Sequence, residues 1–390
     1  MHSWVAGFLL AGVLIGELGS LLIAWQYHIN EEPQIAGLHF LALNAGYVAA
    51  AAIAQRILAR VSIHSVAVLA SAVASASLVA LSFLAPPMPA LWRLAALGFV
   101  GFAAGALVTT LLHALEPYYE SERASAANIC GVMFSTGCLL ATLTVGVTYL
   151  AGSVQLETAL LAIVPLVFLC MYAIERHSTA AVAPRHDVTM RESLRDLRSI
   201  AAVLFSLILF FQFGNEWAIA GWLPLFLVHR LGTRPEWAIA ALAVYFLALT
   251  IGRVGAQRLL PFVKHRRLLL ASIVAAMLGY LALSFATSLP GAILAVVIIG
   301  AGFAPVYPLI AENLDERFSY HPGFYNGIFS IAITGGMSTP WLLGYVDSWL
   351  GMPYVMFVPA LGSVAVFFLI LLLMLEARVM GSARNDLRAP

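Results

Sequence analysis

The residues best able to do chemistry in this 390-residue chain lie in one stretch, Gln212-Phe213-Gly214-Asn215-Glu216-Trp217-Ala218-Ile219-Ala220-Gly221-Trp222-Leu223-Pro224. It sits inside an apolar run over 201–228, longer than the roughly 20 residues that cross a bilayer. Glu216 therefore falls near mid-membrane. A carboxylate there costs about 2.5–3.5 kcal/mol on insertion scales, and such residues face a bundle interior or a wet cavity. Gln212, one turn earlier, shares the face of Glu216. Asn215 adds a second amide, and Trp217 and Trp222 flank the acid with flat rings. Gly221 and Pro224 interrupt the helix and free backbone carbonyls. Together these residues suit one wall of a solute-binding site with Glu216 as its charge. The alternative is a neutral Glu216 that links helices by hydrogen bonds.

A second acid, Glu17, lies within an apolar run over 4–26, with Ser20 three residues on and on its face. A carboxyl whose surroundings alternate between water and a closed apolar pocket binds and releases a proton. That is proton coupling in physical terms. Val13, Leu14, Leu18 and Leu21 surround Glu17 in the sequence, which makes it the expected proton carrier. Two interacting acids titrate as a pair, so Glu216 shares the role. The alternative is a neutral Glu17 satisfied by Ser20 or by another helix. Sodium needs several oxygen ligands around an acid. Only Gln212, Asn215, Ser20 and freed carbonyls are on offer, so H+ is the expected coupling ion and Na+ the alternative.

The remaining polar and aromatic residues suit a neutral polar solute. Asn44, Gln26, Asn128 and Asn326 offer donors and acceptors, and Trp25, Tyr307 and Trp341 offer ring faces. Trp near a span end also serves as an interface anchor, and paired Asn residues also serve as links between helices. Pro305 and Pro308 around Tyr307 predict a bent helix there. No Lys or Arg sits mid-run in the first, fourth, seventh or tenth apolar runs. That argues against a phosphate or dicarboxylate exchanger, which needs a buried cationic clamp. No Ser/His/Asp, phosphate-loop or metal-ligand arrangement is present, so neither an enzyme nor a cofactor is expected. Cys130, Cys138 and Cys170 lie in apolar runs and read as packing residues. The net charge of +1 carries no message about nucleic acid, and none is expected as a partner. The expected partners are a small solute and the lipid bilayer, and the expected state is a monomer.

The elements that must position these residues are membrane spans. Hydrophobic residues make up 62% of the chain and charged residues 10%, against about 25% charged in soluble domains; the mean hydropathy is +0.94. Apolar runs recur at 4–26, 34–57, 65–84, 91–115, 126–150, 157–174, 201–228, 237–261, 267–287, 291–313, 323–346 and 353–376. The expected fold is an all-α membrane protein with twelve transmembrane helices in two parallel six-helix bundles. Residues 1–174 form the first bundle, 175–200 a polar cytoplasmic linker, and 201–390 the second bundle with a short tail. Of the 20 Lys and Arg, only Arg93, Arg230 and Arg234 fall at connections after odd-numbered runs. By the positive-inside rule both termini are cytoplasmic, which fits a multi-pass protein of the cell (inner) membrane.

The halves repeat one another. Residues 35–61 align without gaps on 237–263, which sets Gln55-Arg56 on Gln257-Arg258. Asn128, Gly137 and Gly146 align on Asn326, Gly335 and Gly344, and Glu17 on Glu216 at a similar offset. A six-span repeat keeps its orientation, so the halves are parallel and the site lies between them at the midplane.

Twelve spans, a central polar connection and a parallel repeat resemble the major facilitator superfamily. Three stretches resemble its fucose/glucose/galactose-type sugar–cation symporter branch. These are Gly214-Asn215-Glu216 with Gly221-Trp222-Leu223-Pro224, then Gly300-Ala301-Gly302-Phe303-Ala304-Pro305-Val306-Tyr307-Pro308, and Gly335-Gly336 with Pro340 and Gly344 to Asp347. The resemblance implies a secondary active transporter of a sugar or similar neutral metabolite, working by proton-coupled alternating access. The chain departs from the family pattern in two places. Gln55 stands where an acid is usual after the second span, and the fourth run holds His113 but no acid. The family's coupling residues are therefore not carried over. A proton-driven exporter of cationic or amphipathic compounds is the second reading, and a membrane solute sensor the third.

Overall fold

The computed structural model describes residues 2–29, 32–119, 123–178, 200–259, 262–310 and 322–386. Among them the regular structure is helical throughout. In chain order the helices are α1 (His2–Gly16), α2 (Leu18–Ala24), α3 (Pro33–Leu58), α4 (Ile63–Phe83), α5 (Ala90–Tyr119), α6 (Arg123–Leu150), α7 (Val154–Leu161) and α8 (Ile163–Ser178). The second half of the chain forms α9 (Ile200–Leu231), α10 (Pro235–Leu259), α11 (His265–Ser284), α12 (Leu289–Phe303), α13 (Pro322–Leu350) and α14 (Phe357–Asp386). Residues 179–199 of the expected linker over 175–200 lie outside the described residues.

Helix starts follow local chemistry. The hydroxyls of Ser62, Ser153 and Ser288 accept from the backbone N–H of Ser65, Leu156 and Gly291, at 3.2, 3.3 and 3.4 Å, and so cap α4, α7 and α12. Pro33 and Pro235 open α3 and α10, where the missing N–H costs nothing.

Among the described residues eleven helical segments are long and apolar enough to cross a membrane, so the chain is an integral membrane protein. Four are composite, the last of them opening with a 3-10 turn at Met352–Tyr354 that breaks at 355–356 before α14. Glu17 separates α1 from α2, Ala162 separates α7 from α8, and α12 yields at residues 304–305 to a turn before helix resumes through Ile310. The bend expected beside Pro305 and Pro308 is therefore present. The expected span at 323–346 is the continuous helix α13, whose 29 residues reach about 44 Å. Gly335, Gly336, Ser338, Thr339 and Pro340 dilute its hydropathy, and it is not among the eleven.

Association inside a bilayer depends on close packing rather than on exclusion of water. Gly101 and Gly105 of α5 lie against the carbonyls of Leu43 and Tyr47 on α3, where any side chain would collide. Among the described residues the two halves of the chain meet chiefly along three helix pairs, α3 with α13, α6 with α10, and α2 with α9, with smaller contacts of α5 with α13 and α2 with α10. Two of these contacts are images of each other. Asn128 Nδ2 donates to the Arg253 carbonyl at 3.3 Å, and Asn326 Nδ2 donates to the Ala51 carbonyl at 3.5 Å. The repeat that aligns Asn128 on Asn326 also aligns residue 51 on 253 (51 + 202).

Candidate functional site

The cavity lies between the halves. Its walls are Phe8 of α1, Cys130, Gly131 and Phe134 of α6, Phe213, Glu216 and Trp217 of α9, Arg253 of α10, Tyr307, and Phe329 of α13. Six of these ten residues are aromatic. Phe134 and Trp217 meet edge to face across the two halves at 6.2 Å. Phe213 meets Tyr307 at 5.8 Å and Phe329 at 5.7 Å, both T-shaped. These are favoured geometries for aromatic quadrupoles, and they make the wall stiff.

One ion pair sits in this aromatic wall. Arg253 Nη2 donates to Glu216 Oε1 at 3.0 Å, and Nη1 donates to the Gly131 carbonyl of the opposite half at 2.6 Å. Both side chains are buried. Burial of an ion pair costs solvation, and it persists only where geometry and further hydrogen bonds compensate. The backbone under Glu216 is braced as well. Tyr245 Oη donates to the Glu216 carbonyl at 3.3 Å, and Tyr280 Oη donates to the Asn215 carbonyl.

Arg253 is the principal residue that sequence reasoning missed. In the sequence it groups with the basic residues of the cytoplasmic side, but it lies within α10 and is only 4% exposed. The available signal was the repeat, which puts Ala51 opposite it. The absence of mid-run cations in four of the runs therefore does not leave the site without one. Arg93 also departs from its assignment to a connection. It is buried, donates to the Met88 carbonyl at 2.7 Å and to Tyr27 Oη at 3.2 Å, and lies over the Trp25 ring at 5.5 Å. Trp25 is thus occupied by a cation rather than offered to a solute.

Of the expected site residues, Glu216, Trp217 and Tyr307 come together at the cavity. Gln212 is fully buried one turn before Glu216. It approaches that carboxyl without the geometry of a formed hydrogen bond. Asn215 and Trp222 face other neighbours. Asn215 Nδ2 donates to Ser363 Oγ at 3.4 Å, and Trp222 Nε1 donates to the Pro340 carbonyl at 2.8 Å. Asn44 lies on α3 away from the cavity lining, with no partner for Oδ1 among the described residues.

Glu17 is fully buried at the junction of α1 and α2, outside the lining of the cavity. Ser20 Oγ donates to its backbone carbonyl at 2.8 Å and not to its carboxyl. Neither carboxyl oxygen has a partner among the described residues. The two repeat-related acids thus differ sharply, because Glu216 has an arginine and Glu17 has none.

The cavity has a volume of about 40 Å³, room for roughly three water molecules at about 10–15 Å³ each. Contacts between the halves flank the cavity on both sides. Towards the N-terminal face, Asn128 Nδ2 also donates to Gln257 Oε1 at 3.1 Å, and Thr250 Oγ1 to Ser135 Oγ at 2.9 Å. Towards the opposite face, Gln34 Nε2 donates to Ser348 Oγ at 3.1 Å. There Gly19 lies against the Ala220 carbonyl. Pro224 has no N–H to bond that carbonyl, and the glycine leaves it room.

A helical membrane protein with a buried, charged cavity between its two halves is the architecture of a membrane carrier. The Major Facilitator Superfamily profile matches residues 3–338, and the chain belongs to that superfamily of transporters. Two crystal structures of the E. coli fucose:proton symporter FucP are similar in fold. One is of a single-residue variant and the other of the outward conformation. Each has a TM-score of 0.69 and 19% sequence identity, over 95% of this chain and 98% of the other. No curated protein sequence matches the chain significantly.

Proposed function

We propose that this protein is a secondary active transporter that moves a small neutral polar solute, a sugar or similar metabolite, by proton-coupled alternating access. The observation that carries the reading is the cavity itself, an aromatic cage around one compensated ion pair, placed where the halves meet. Flat rings stack on sugar faces, while the carboxylate and guanidinium offer an acceptor and donors. A sugar-sized solute enters only when the walls move apart, and the inter-half contacts at each end are what must break in turn. The symmetric Asn128 and Asn326 bonds support twelve spans in two parallel bundles, with α13 as the eleventh. The basic-residue asymmetry supports a cell-membrane protein with both termini in the cytoplasm.

Glu17 is the proposed proton carrier, because it is buried without a counter-charge, whereas Arg253 compensates Glu216. Six aromatic walls also suit an amphipathic solute, and a proton-driven exporter is the second reading. The deciding experiment is uptake into proteoliposomes across a panel of sugars and amphipathic cations, under imposed proton or sodium gradients. Sugar accumulation driven by protons is the expected outcome. Accumulation of cations alone, or dependence on sodium alone, refutes the proposal.

A further inference from the structure

Glu216 is the acidic group of the cavity wall, and Arg253 is its basic group. They are hydrogen-bonded to each other at 3.0 Å, so the wall presents a carboxylate and a guanidinium whose charges cancel. The remaining lining consists of aromatic rings, Cys130 and Gly131. In the first half the repeat-related position carries Ala51 in place of arginine. The neutrality of the cavity thus depends on one side chain. From the Glu216–Arg253 pair in an otherwise uncharged aromatic cage, we infer that Arg253 determines specificity, masking Glu216 so that the transporter accepts uncharged ring-bearing solutes and rejects organic cations. This rests on the proposed solute site and adds its charge class.

The physical argument is one of differential affinity. A cation entering the cage must compete with a guanidinium already hydrogen-bonded to the acid. That guanidinium is held in place from the other side by the Gly131 carbonyl at 2.6 Å. Specificity of this kind comes from an unfavourable charge placed against the wrong ligand as much as from contacts to the right one. Removal of the arginine charge leaves a carboxylate ringed by Phe8, Phe134, Phe213, Trp217 and Phe329. Carboxylate and aromatic faces both attract a quaternary ammonium group.

The test uses the full chain in detergent and two probes of similar shape and opposite charge, phenyltrimethylammonium and benzenesulfonate. Binding is measured by equilibrium dialysis. Wild type should bind the two within about threefold of each other, and each at least tenfold more weakly than uncharged benzyl alcohol; wild-type binding of the cation as tight as that of benzyl alcohol overturns the inference. Arg253→Gln should shift the ratio towards the cation by tenfold or more, Glu216→Gln should shift it towards the anion by a similar factor, and the double variant should return to the wild-type ratio. A wild-type preference for the cation above tenfold overturns the inference. So does an unchanged ratio in both single variants, or no specific binding of either probe to any form. If the single variants do not fold, the wild-type ratio alone decides between these outcomes. Binding needs no gradient, so failure of proton-driven sugar uptake and failure of charge masking give separate results.

Discussion

Arg253 and Gly131 lie on opposite halves of the chain, and the guanidinium of the first donates to the carbonyl of the second at 2.6 Å. The same guanidinium holds Glu216. The charged group of the cavity is therefore tied directly to the seam between the halves.

Loss of either member of this pair should destabilise the protein. A buried charge left without its partner costs about 3–5 kcal/mol, whereas removal of both is often near neutral. Glu216→Gln and Arg253→Gln should each lower the melting temperature in detergent, and the double variant should recover most of the loss. Glu216→Gln should also abolish gradient-driven accumulation while the protein still elutes as a folded species. Normal accumulation by that variant would reduce Glu216 to a packing residue.

The Asn128 and Asn326 bonds should control opening at the N-terminal face. Interhelical hydrogen bonds in membranes contribute about 0.6 kcal/mol on average, enough to shift a conformational balance two- to threefold. Asn128→Ala and Asn326→Ala should therefore speed alkylation of Cys130, which lines the cavity. Cys138, sealed against the Gly12 carbonyl at 3.4 Å, should react slowly throughout. Equal rates at Cys130 in variant and wild type would show that these bonds do not hold the face shut.

Topology gives a third test. The distribution of Lys and Arg predicts that residues 175–200 are cytoplasmic. A cysteine introduced at Ser193 should resist membrane-impermeant labelling of intact cells, and ready labelling from outside would reverse the orientation.

Proton coupling should depend on Glu17, whose carboxyl is buried without a partner among the described residues. Glu17→Gln should retain solute exchange but lose acceleration by an inward proton gradient. The informative comparison sets proton-driven against sodium-driven transport at fixed pH. Acceleration by protons that persists in the variant would move the carrier role elsewhere.

Much of this was legible in the sequence because charges inside a membrane are rare. Glu216 and Glu17 stood out for that reason, and Tyr307 stood out because two prolines bracket it. The directions of side chains on α9 were not legible. Its residues from Gln212 to Leu227 are all buried, so no polar face tells which side meets the cavity. Asn215 is turned about 100° from Glu216 on a helix, and it reaches Ser363 instead. Arg253 was hidden by position. It lies six residues before the end of α10 and merges with the cations that follow.

The meeting of Gly19 with the Ala220 carbonyl has a mechanical consequence. No side chain stands between α2 and α9 at that point, so the separation of the halves is set by the hard radii of two backbones. Contact of that kind fixes a limit of travel, and the close packing it allows also holds the two helices together. In the proposed alternating-access cycle this contact is an end-stop on this face. Its position is written in the absence of atoms, at one glycine and one proline that cannot supply them.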